Sequence, residues 1–145
     1  MIYNEEHRDL FSVNFIEWTP AHCISRDCKM GAGIAVPMKK KFKLGGLKDT
    51  IDNFNVALPY GISTCIFHNE VLNLITKKRY WHKPTYESIG TALTAMLVLA
   101  NTRGIKKIVM PKIGCGLDGL NWSRVREIIK EVFKDTDIEI LVCIQ

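Results

Sequence analysis

The sequence predicts an α/β fold, a three-layer α/β/α sandwich with a central mixed, largely parallel sheet, in a single domain over residues 1–145. Continuous apolar, β-branched stretches at residues 62–67, 71–76, 107–110 and 138–144 are typical of strands buried on both faces. Segments of helical periodicity lie between several of these strands. Strands that alternate with helices pair in parallel, with helices covering both faces of the sheet. A chain of this length has room for one such core.

An earlier strand is predicted over residues 21–25, followed by a glycine-containing turn and a helix. Proline lacks a backbone N–H and is tolerated in the first helical turn, so Pro37 places the start of this helix near Gly33 or Ile34. Residues 43–60 are the least predictable stretch, for which we expect a short helix and an exposed loop.

Two longer helices are predicted in the second half of the chain. After Pro84, apolar residues recur at intervals of three and four, and Gly104 follows as a stop signal. The same spacing occurs over residues 125–133, behind Asn121, whose side chain is suited to cap a helix N-terminus.

The composition excludes several classes of protein. No apolar run approaches the roughly 20 residues that span a bilayer, and the N-terminus lacks the apolar core of a signal peptide. We therefore expect an intracellular protein, cytoplasmic or nuclear, without a membrane partner. Five irregularly spaced cysteines indicate reduced thiols rather than a disulfide framework. His22, Cys23 and Cys28 resemble part of a zinc site, but no second ligand pair accompanies them, so no metal is expected.

Two glycine loops each follow a predicted strand and precede a helix. The first glycine loop covers residues 27–35 and the second covers residues 111–119. Such junctions expose backbone N–H groups, and a helix N-terminus attracts anions. One loop alone is equally explained by a tight turn or by close packing. Together they indicate a ligand with two phosphates. Neither loop has the Lys-Ser/Thr pair of an ATPase, and the first lacks the third glycine of the dinucleotide fingerprint.

The net charge of the chain favours polyanionic ligands. With 20 basic and 15 acidic side chains, the formal charge is +5 at pH 7, which attracts phosphates and nucleic acids but says nothing about the fold.

Six segments in the same order resemble the macrodomain family, the ADP-ribose-binding α/β/α module. Within it they are similar to the branch of terminal ADP-ribose protein glycohydrolases and related DNA-directed antitoxin macrodomains. The resemblance spans nearly the whole chain. It rests on HRDLF (7–11), AHCIS (21–25), MGAGIA (30–35), LITKKR (74–79), HKPTYE (82–87) and PKIGCGLD (111–118).

The resemblance implies an ADP-ribosyl glycohydrolase that needs no cofactor. The family's nucleophile matches Lys77, and its partner carboxylate matches Asp118. In this hypothesis Lys77 attacks the anomeric carbon of the terminal ribose and forms a covalent lysyl adduct, whose resolution Asp118 assists. A lysine attacks only when neutral, and Lys78 and Arg79 beside it disfavour a further positive charge. Without the resemblance, Lys77 is a surface or phosphate-pairing lysine and Asp118 a turn residue.

The same resemblance implies the binding residues. Asp9 accepts a hydrogen bond from the adenine amino group, the Leu10 backbone seats the base, Gln145 lies near the adenosine end, and Ser25 contacts ribose or phosphate. The alternative for Asp9 is a turn or helix cap. The two glycine loops wrap the diphosphate and distal ribose through Gly31, Gly33, Ile34, Ala35, Lys112, Ile113, Gly114, Cys115, Gly116 and Leu117.

One departure from other macrodomains guides the interpretation. Many members carry an asparagine pair in the stretch that here holds His22 and Ser25, and its absence favours the branch with a lysine nucleophile. His22 itself is interpreted as a strand residue. A nucleophilic role for Cys115 is disfavoured because no Asn or His is placed to form a triad with it.

Several alternatives stay open. The chain is expected to be a monomer that binds ADP-ribose or an ADP-ribosylated macromolecule, whether protein or DNA. The resemblance leaves at least four substrates open: ADP-ribosylated carboxylates, ADP-ribosylated thymidine, O-acetyl-ADP-ribose and ADP-ribose 1″-phosphate, the last two corresponding to deacetylase and phosphatase activities. A reader that binds ADP-ribose without hydrolysis is a second hypothesis. Single-stranded nucleic-acid binding through Tyr80, Trp81 and nearby lysines is a third.

Overall fold

The computed structural model describes residues 1–53 and 63–145 and shows a six-stranded sheet between two layers of helices. The strands are β1 (Ile2–His7), β2 (Thr19–Ser25), β3 (Thr64–His68), β4 (Val71–Lys77), β5 (Lys107–Met110) and β6 (Glu139–Ile144). The helices are α1 (Ala35–Phe42), α2 (Leu47–Asn53), α3 (Tyr86–Arg103) and α4 (Trp122–Phe133). Within the described ranges, no helix combines the length and apolar character needed to cross a bilayer.

The sheet confirms the predicted mixed, largely parallel arrangement. Its strand order is β1-β6-β5-β2-β4-β3, and every neighbouring pair is parallel except β3 and β4. Only Asn69 and Glu70 connect β3 to β4, and both have positive φ angles, as in the tight turns of hairpins. A connection of two residues is too short for a crossover, so these two strands pair antiparallel.

Side chains that alternate along the strands build a separate core on each face. Leu72 and Leu74 of β4 pack with α3 and α4, whereas Val71 and Ile75 of the same strand pack with α1 and α2. All four are fully buried. The strands are therefore apolar on both faces, as their continuous hydrophobic runs predicted, and groups that bind ligands are left to the ends of the strands.

Several predicted boundaries are confirmed. Helix α1 begins directly after Ile34, and Gly104 ends α3 with a left-handed backbone. Asn121 caps α4, its side chain accepting a hydrogen bond of 2.9 Å from the Ser123 amide. The short helix expected in residues 43–60 is α2, while residues 54–60 and the predicted strand start at Ile62 lie outside the described residues.

Strand β1 was not predicted, because its sequence is mostly polar and it lies at the edge of the sheet. It is held by parallel pairing with β6 and by Glu5, which accepts two hydrogen bonds from Arg126 of α4, at 2.5 and 2.9 Å. The Tyr3 hydroxyl donates a third, at 2.6 Å. These bonds, the Arg126 pair foremost, lower the pKa of Glu5 to about 2. The pair thus fastens the edge strand to a helix.

Glu5→Gln is expected to lower the free energy of unfolding by about 1–2 kcal/mol at pH 7, since it removes a charge-assisted bidentate bond. The folded pKa lies below that of the unfolded chain, so the charged carboxylate stabilises the fold fully above about pH 5 and progressively less as the pH falls toward the folded value. Urea titrations at pH 7 and pH 3 should show the difference from the wild type shrinking at the lower pH. Glu6→Gln, at an exposed pair with Arg8, is the control, and an equal loss in both variants would contradict the prediction.

Candidate functional site

A cleft of about 970 Å³ opens at the carboxyl ends of β2, β4, β5 and β6. Parallel strands bring these ends to one edge of the sheet, where ligands of α/β proteins bind. Ser25 and Lys77 end β2 and β4, Gln145 follows β6, and all three line the cleft together with both glycine loops. The structure therefore brings together most of the residues singled out in the sequence.

The strand order sets the order of groups along the cleft. Gln145 lies after β6, the second glycine loop after β5, the first glycine loop after β2, and Lys77 at the end of β4. Adjacent strands are separated by about 4.8 Å, so β6 and β4 lie about 14 Å apart along this edge. The cleft is consequently elongated, with backbone amides in the middle and a lysine at one end.

The two glycine loops meet across the cleft at Gly33 and Leu117. Gly33 has a φ of +61°, and a β-carbon added there would lie 3.5 Å from Leu117 Cδ1. Any other residue would be strained in this left-handed conformation. The glycine thus allows the backbone before α1 to approach the second loop closely.

Gly114 fixes the second glycine loop against the core. Its φ is +73°, and a β-carbon there would lie 3.1 Å from both Ile89 Cδ1 and Leu120 Cδ1. The Leu120 amide also donates a hydrogen bond of 2.9 Å to the Gly114 carbonyl. Close packing and the turn therefore explain this glycine, while its neighbours Ile113 and Cys115 remain in the cleft lining.

Lys77 and Asp118 form an ion pair inside the cleft. Lys77 Nζ donates to Asp118 Oδ1 at 2.7 Å, and the two side chains are only 14% and 18% exposed. Asp118 is positioned by a 3₁₀ turn (Gly116–Asp118) that Gly119 ends with a positive φ. The pair sets an amine and a carboxylate within proton-transfer distance at the β4 end of the cleft.

A β-bulge adjusts the end of β4. Ile24 pairs with Ile75, but Ser25 pairs with Lys77, so Thr76 is an additional residue in the ladder. Such bulges redirect the side chains that follow them. Here the bulge immediately precedes Lys77, and Thr76 itself is buried.

Asp27 joins the first glycine loop to the segment that follows Lys77, and the sequence analysis missed it. Its carboxylate accepts hydrogen bonds from the Ser25 hydroxyl and, at 3.1 Å, from the Tyr80 amide. Burial by itself raises the pKa of Asp27, but these hydrogen bonds outweigh it and hold the pKa below its ordinary value. The Ser25 hydroxyl therefore donates its proton to Asp27, and its oxygen can still accept a hydrogen bond from a ligand.

Lys83 is a second residue that the sequence analysis did not single out. It lines the cleft, and its Nζ donates to the Leu117 carbonyl at 2.6 Å. This bond ties the start of the α3 region to the residue before Asp118. Its only sequence signal was membership of the HKPTYE segment.

Charge in the cleft favours an anion. Among the residues that the structure describes, four lysines line it, and Asp118 is the one acidic residue in the lining. Since Asp118 is paired with Lys77, the positive charge of the other three lysines, Lys29, Lys83 and Lys112, remains. A cleft with one sign of charge and backbone amides at its centre suits phosphate groups.

The cleft thiols are not activated. Burial raises the pKa of both Cys23 and Cys115, so both thiols are protonated at neutral pH and are poor nucleophiles. The protonated state of Cys115 agrees with the sequence analysis, which disfavoured this residue as a nucleophile.

His22 is buried in the sheet, away from the cleft lining. Its Nε2 donates to Asn73 Oδ1 at 2.7 Å, and Asn73 in turn donates to two backbone carbonyls. Burial lowers the pKa of His22 to about 4, so the ring is neutral. The interpretation of His22 as a strand residue is confirmed. The described residues hold no group of three or more His, Cys, Asp or Glu side chains suited to a metal.

Asp9 and Leu10 lie beyond the residues that line the cleft. Asp9 caps a 3₁₀ turn (Leu10–Ser12), accepting a hydrogen bond of 2.9 Å from the Phe11 amide, and the Leu10 side chain is buried in the core. The Arg8 amide donates to the Ile144 carbonyl at 3.1 Å, which keeps this turn next to Gln145. The turn therefore adjoins the β6 end of the cleft.

Comparison with known proteins agrees with this geometry. The Macro domain model matches residues 60–129. The chain is 47% identical to human ADP-ribose glycohydrolase OARD1 over 126 residues, which cover 84% of this chain and 78% of the human protein. The chain belongs to the macrodomain family.

Solved macrodomains share the fold at low sequence identity. The macrodomain of Mycobacterium tuberculosis DarG superposes with a TM-score of 0.81 at 16% identity, covering 98% of this chain and 97% of that one. Thermosipho africanus DarTG in complex with ADP-ribose gives a TM-score of 0.68 at 19% identity, covering 89% of this macrodomain and 38% of that chain. Their likeness places this sheet and its helices in the macrodomain fold.

Proposed function

We propose that this macrodomain is an ADP-ribosyl glycohydrolase that removes terminal ADP-ribose from a modified protein, DNA or small molecule. The observation that carries the proposal is the Lys77–Asp118 pair at the end of the anion-binding cleft. Human OARD1, a relative that is 47% identical, is named an ADP-ribose glycohydrolase. We expect the enzyme to act inside the cell as a monomer and without a cofactor.

The order of groups along the cleft suits ADP-ribose lying lengthwise. The diphosphate would lie between the glycine loops, where amides and Lys112 offer positive charge. The adenosine would extend toward Gln145, with Asp9 and the Leu10 backbone beyond it to receive the base. A cap and an adenine acceptor are compatible roles for Asp9, because its hydrogen bond to Phe11 uses only Oδ1. This orientation leaves the distal ribose beside Ser25 and Lys77.

The chemistry follows from the 2.7 Å contact between Lys77 Nζ and Asp118 Oδ1. Asp118 accepts a proton from Nζ, and the freed lone pair attacks the anomeric carbon of the distal ribose. The bond from that carbon to the modified group breaks, its electron pair stays on the leaving group, and Asp118 returns the proton there. Water then displaces Lys77 from the adduct, with Asp118 as base, which releases ADP-ribose and restores the amine.

A substrate panel tests this function. The wild-type protein is incubated with an ADP-ribosylated glutamate peptide, a thymidine-modified oligonucleotide, O-acetyl-ADP-ribose and ADP-ribose 1″-phosphate, and products are separated by chromatography. Release of free ADP-ribose from at least one macromolecular substrate is the expected result.

Other outcomes of the panel distinguish the alternatives. Turnover of only the phosphorylated or only the acetylated small molecule would replace the proposal with a phosphatase or deacetylase. Tight calorimetric binding of ADP-ribose with no turnover of any substrate would identify a reader.

A further inference from the structure

The segment of residues 78–83, between β4 and α3, leaves two large aromatic side chains in solvent. Tyr80 is 57% exposed and Trp81 is 63% exposed. Tyr80 also lines the cleft, so this aromatic surface begins at the end of the cleft that holds Lys77. The proposed glycohydrolase chemistry does not use Trp81.

The aromatic rings of this segment are held at defined angles to one another. Tyr80 and Trp81 meet edge to face, with centroids 5.2 Å apart and planes at 87°, and Trp81 meets His82 in the same way at 5.3 Å and 76°. In an edge-to-face pair the edge of one ring covers part of the face of the other, and the exposed fractions of Tyr80 and Trp81 show that more than half of each side chain still faces solvent. The turn is braced by the Tyr80 amide on Asp27 and by the His82 amide on the Arg79 carbonyl at 3.0 Å. These hydrogen bonds therefore order the segment in the absence of a partner.

The same segment is strongly basic. It reads KRYWHK and contains no acidic residue. Lys78 and Arg79 are exposed, and neither forms a salt bridge with any residue that the structure describes. The carboxylates of Asp27 and Asp118 beside it are already engaged, by Ser25 and Tyr80 and by Lys77 respectively. The surface thus presents uncompensated cations next to exposed aromatic side chains.

We propose that segment 78–83 binds single-stranded nucleic acid, with Trp81 stacking on a base and Lys78 and Arg79 contacting the flanking phosphates. Stacking on an aromatic ring accepts any base, and adjacent cations follow the backbone. A duplex keeps its base faces covered. An acidic peptide would match the positive charge, but its side chains would not stack on the exposed aromatic rings as bases do. This interaction goes beyond glycohydrolase activity and requires no ADP-ribose.

Fluorescence anisotropy with a labelled, unmodified oligothymidine tests the proposal. Trp81→Ala is expected to weaken binding about 10-fold or more, whereas Trp81→Phe keeps most of the affinity. Changing both Lys78→Ala and Arg79→Ala lowers the slope of log affinity against log salt by about 1.4, or about 0.7 for each lost phosphate contact. The matched control changes both Lys39→Ala and Lys40→Ala, which removes the same charge from the exposed face of α1.

Two results would overturn the proposal. One is equal loss of oligonucleotide binding in the lysine control with no effect of Trp81→Ala, which would indicate nonspecific attraction. The other is Trp81-dependent binding of an oligoglutamate peptide in place of the oligonucleotide, which would indicate an acidic protein partner. Calorimetry with free ADP-ribose should give the same affinity for wild type and Trp81→Ala. Because the oligonucleotide is unmodified, its binding is measured whether or not the glycohydrolase proposal holds.

Discussion

Lys77→Arg is expected to lower kcat for ADP-ribose release at least about 1,000-fold, as is Lys77→Ala. Arginine keeps the positive charge and a hydrogen bond to Asp118, but its guanidinium stays protonated and cannot attack carbon. The pair of variants therefore separates a nucleophile from a lysine that only attracts phosphate. Steady-state release of ADP-ribose and intact-protein mass spectrometry are the measurements, the latter to detect an ADP-ribosyl adduct in the wild type alone.

The control for this experiment is Lys106→Ala, which removes an exposed lysine paired with Asp137 and should leave kcat unchanged. Restoration of activity by Lys77→Arg would show that the lysine acts through its charge and would refute covalent catalysis. An adduct mapped by peptide sequencing to another lysine would identify that lysine as the nucleophile in place of Lys77.

Asp118→Asn should reduce kcat by about 100- to 10,000-fold, the range typical of a general acid or base. The amide preserves the size of the side chain and can hydrogen bond to Lys77, but it neither takes the proton from Nζ nor activates water. Breakdown of the lysyl adduct should slow, so the modified protein persists longer after substrate is exhausted. Quenched time courses followed by mass spectrometry measure this lifetime.

Asp137→Asn provides the matched comparison, because Asp137 also accepts from a lysine, at 2.9 Å, but on an exposed part of the surface. It is expected to behave as wild type. If Asp118→Asn retained full activity, the carboxylate would be an ordinary turn residue that happens to pair with Lys77, and another group would have to move the proton.

The layered fold could be predicted from the sequence because its strands are buried on both faces and its long helices have recognisable capping residues. Runs such as residues 71–76 cannot be solvent-facing, and Asn121 and Gly104 mark helix ends by their own chemistry. Strand β1 was not predicted because its sequence is mostly polar and shows no buried apolar run. At the edge of the sheet its side chains need not be apolar, and it is held by pairing with β6 and by Arg126, both distant in sequence.

The candidate site was predictable where local sequence encodes it and obscure where it depends on tertiary contacts. The glycine loops each follow a strand and precede a helix, so their position in the sequence alone predicted that they bind a ligand, whereas Ser25 and Gln145 were singled out through the family resemblance. Lys77 and Asp118 needed the family resemblance, because nothing local sets them 2.7 Å apart. Asp27 and Lys83 act through bonds to segments 53 and 34 residues away, which no spacing rule anticipates. The bulge at Thr76 likewise arises from pairing with β2.

The near contact between Gly33 and Leu117 brings the two glycine loops together midway along the elongated cleft, between Gln145 and Lys77. A compact anion would contact only part of this length, whereas an elongated ligand would contact both glycine loops and reach both ends of the cleft. In the proposed orientation of ADP-ribose, a group attached to the distal sugar would lie near the exposed Tyr80, so we expect a bulky attachment to be accommodated there without widening the cleft.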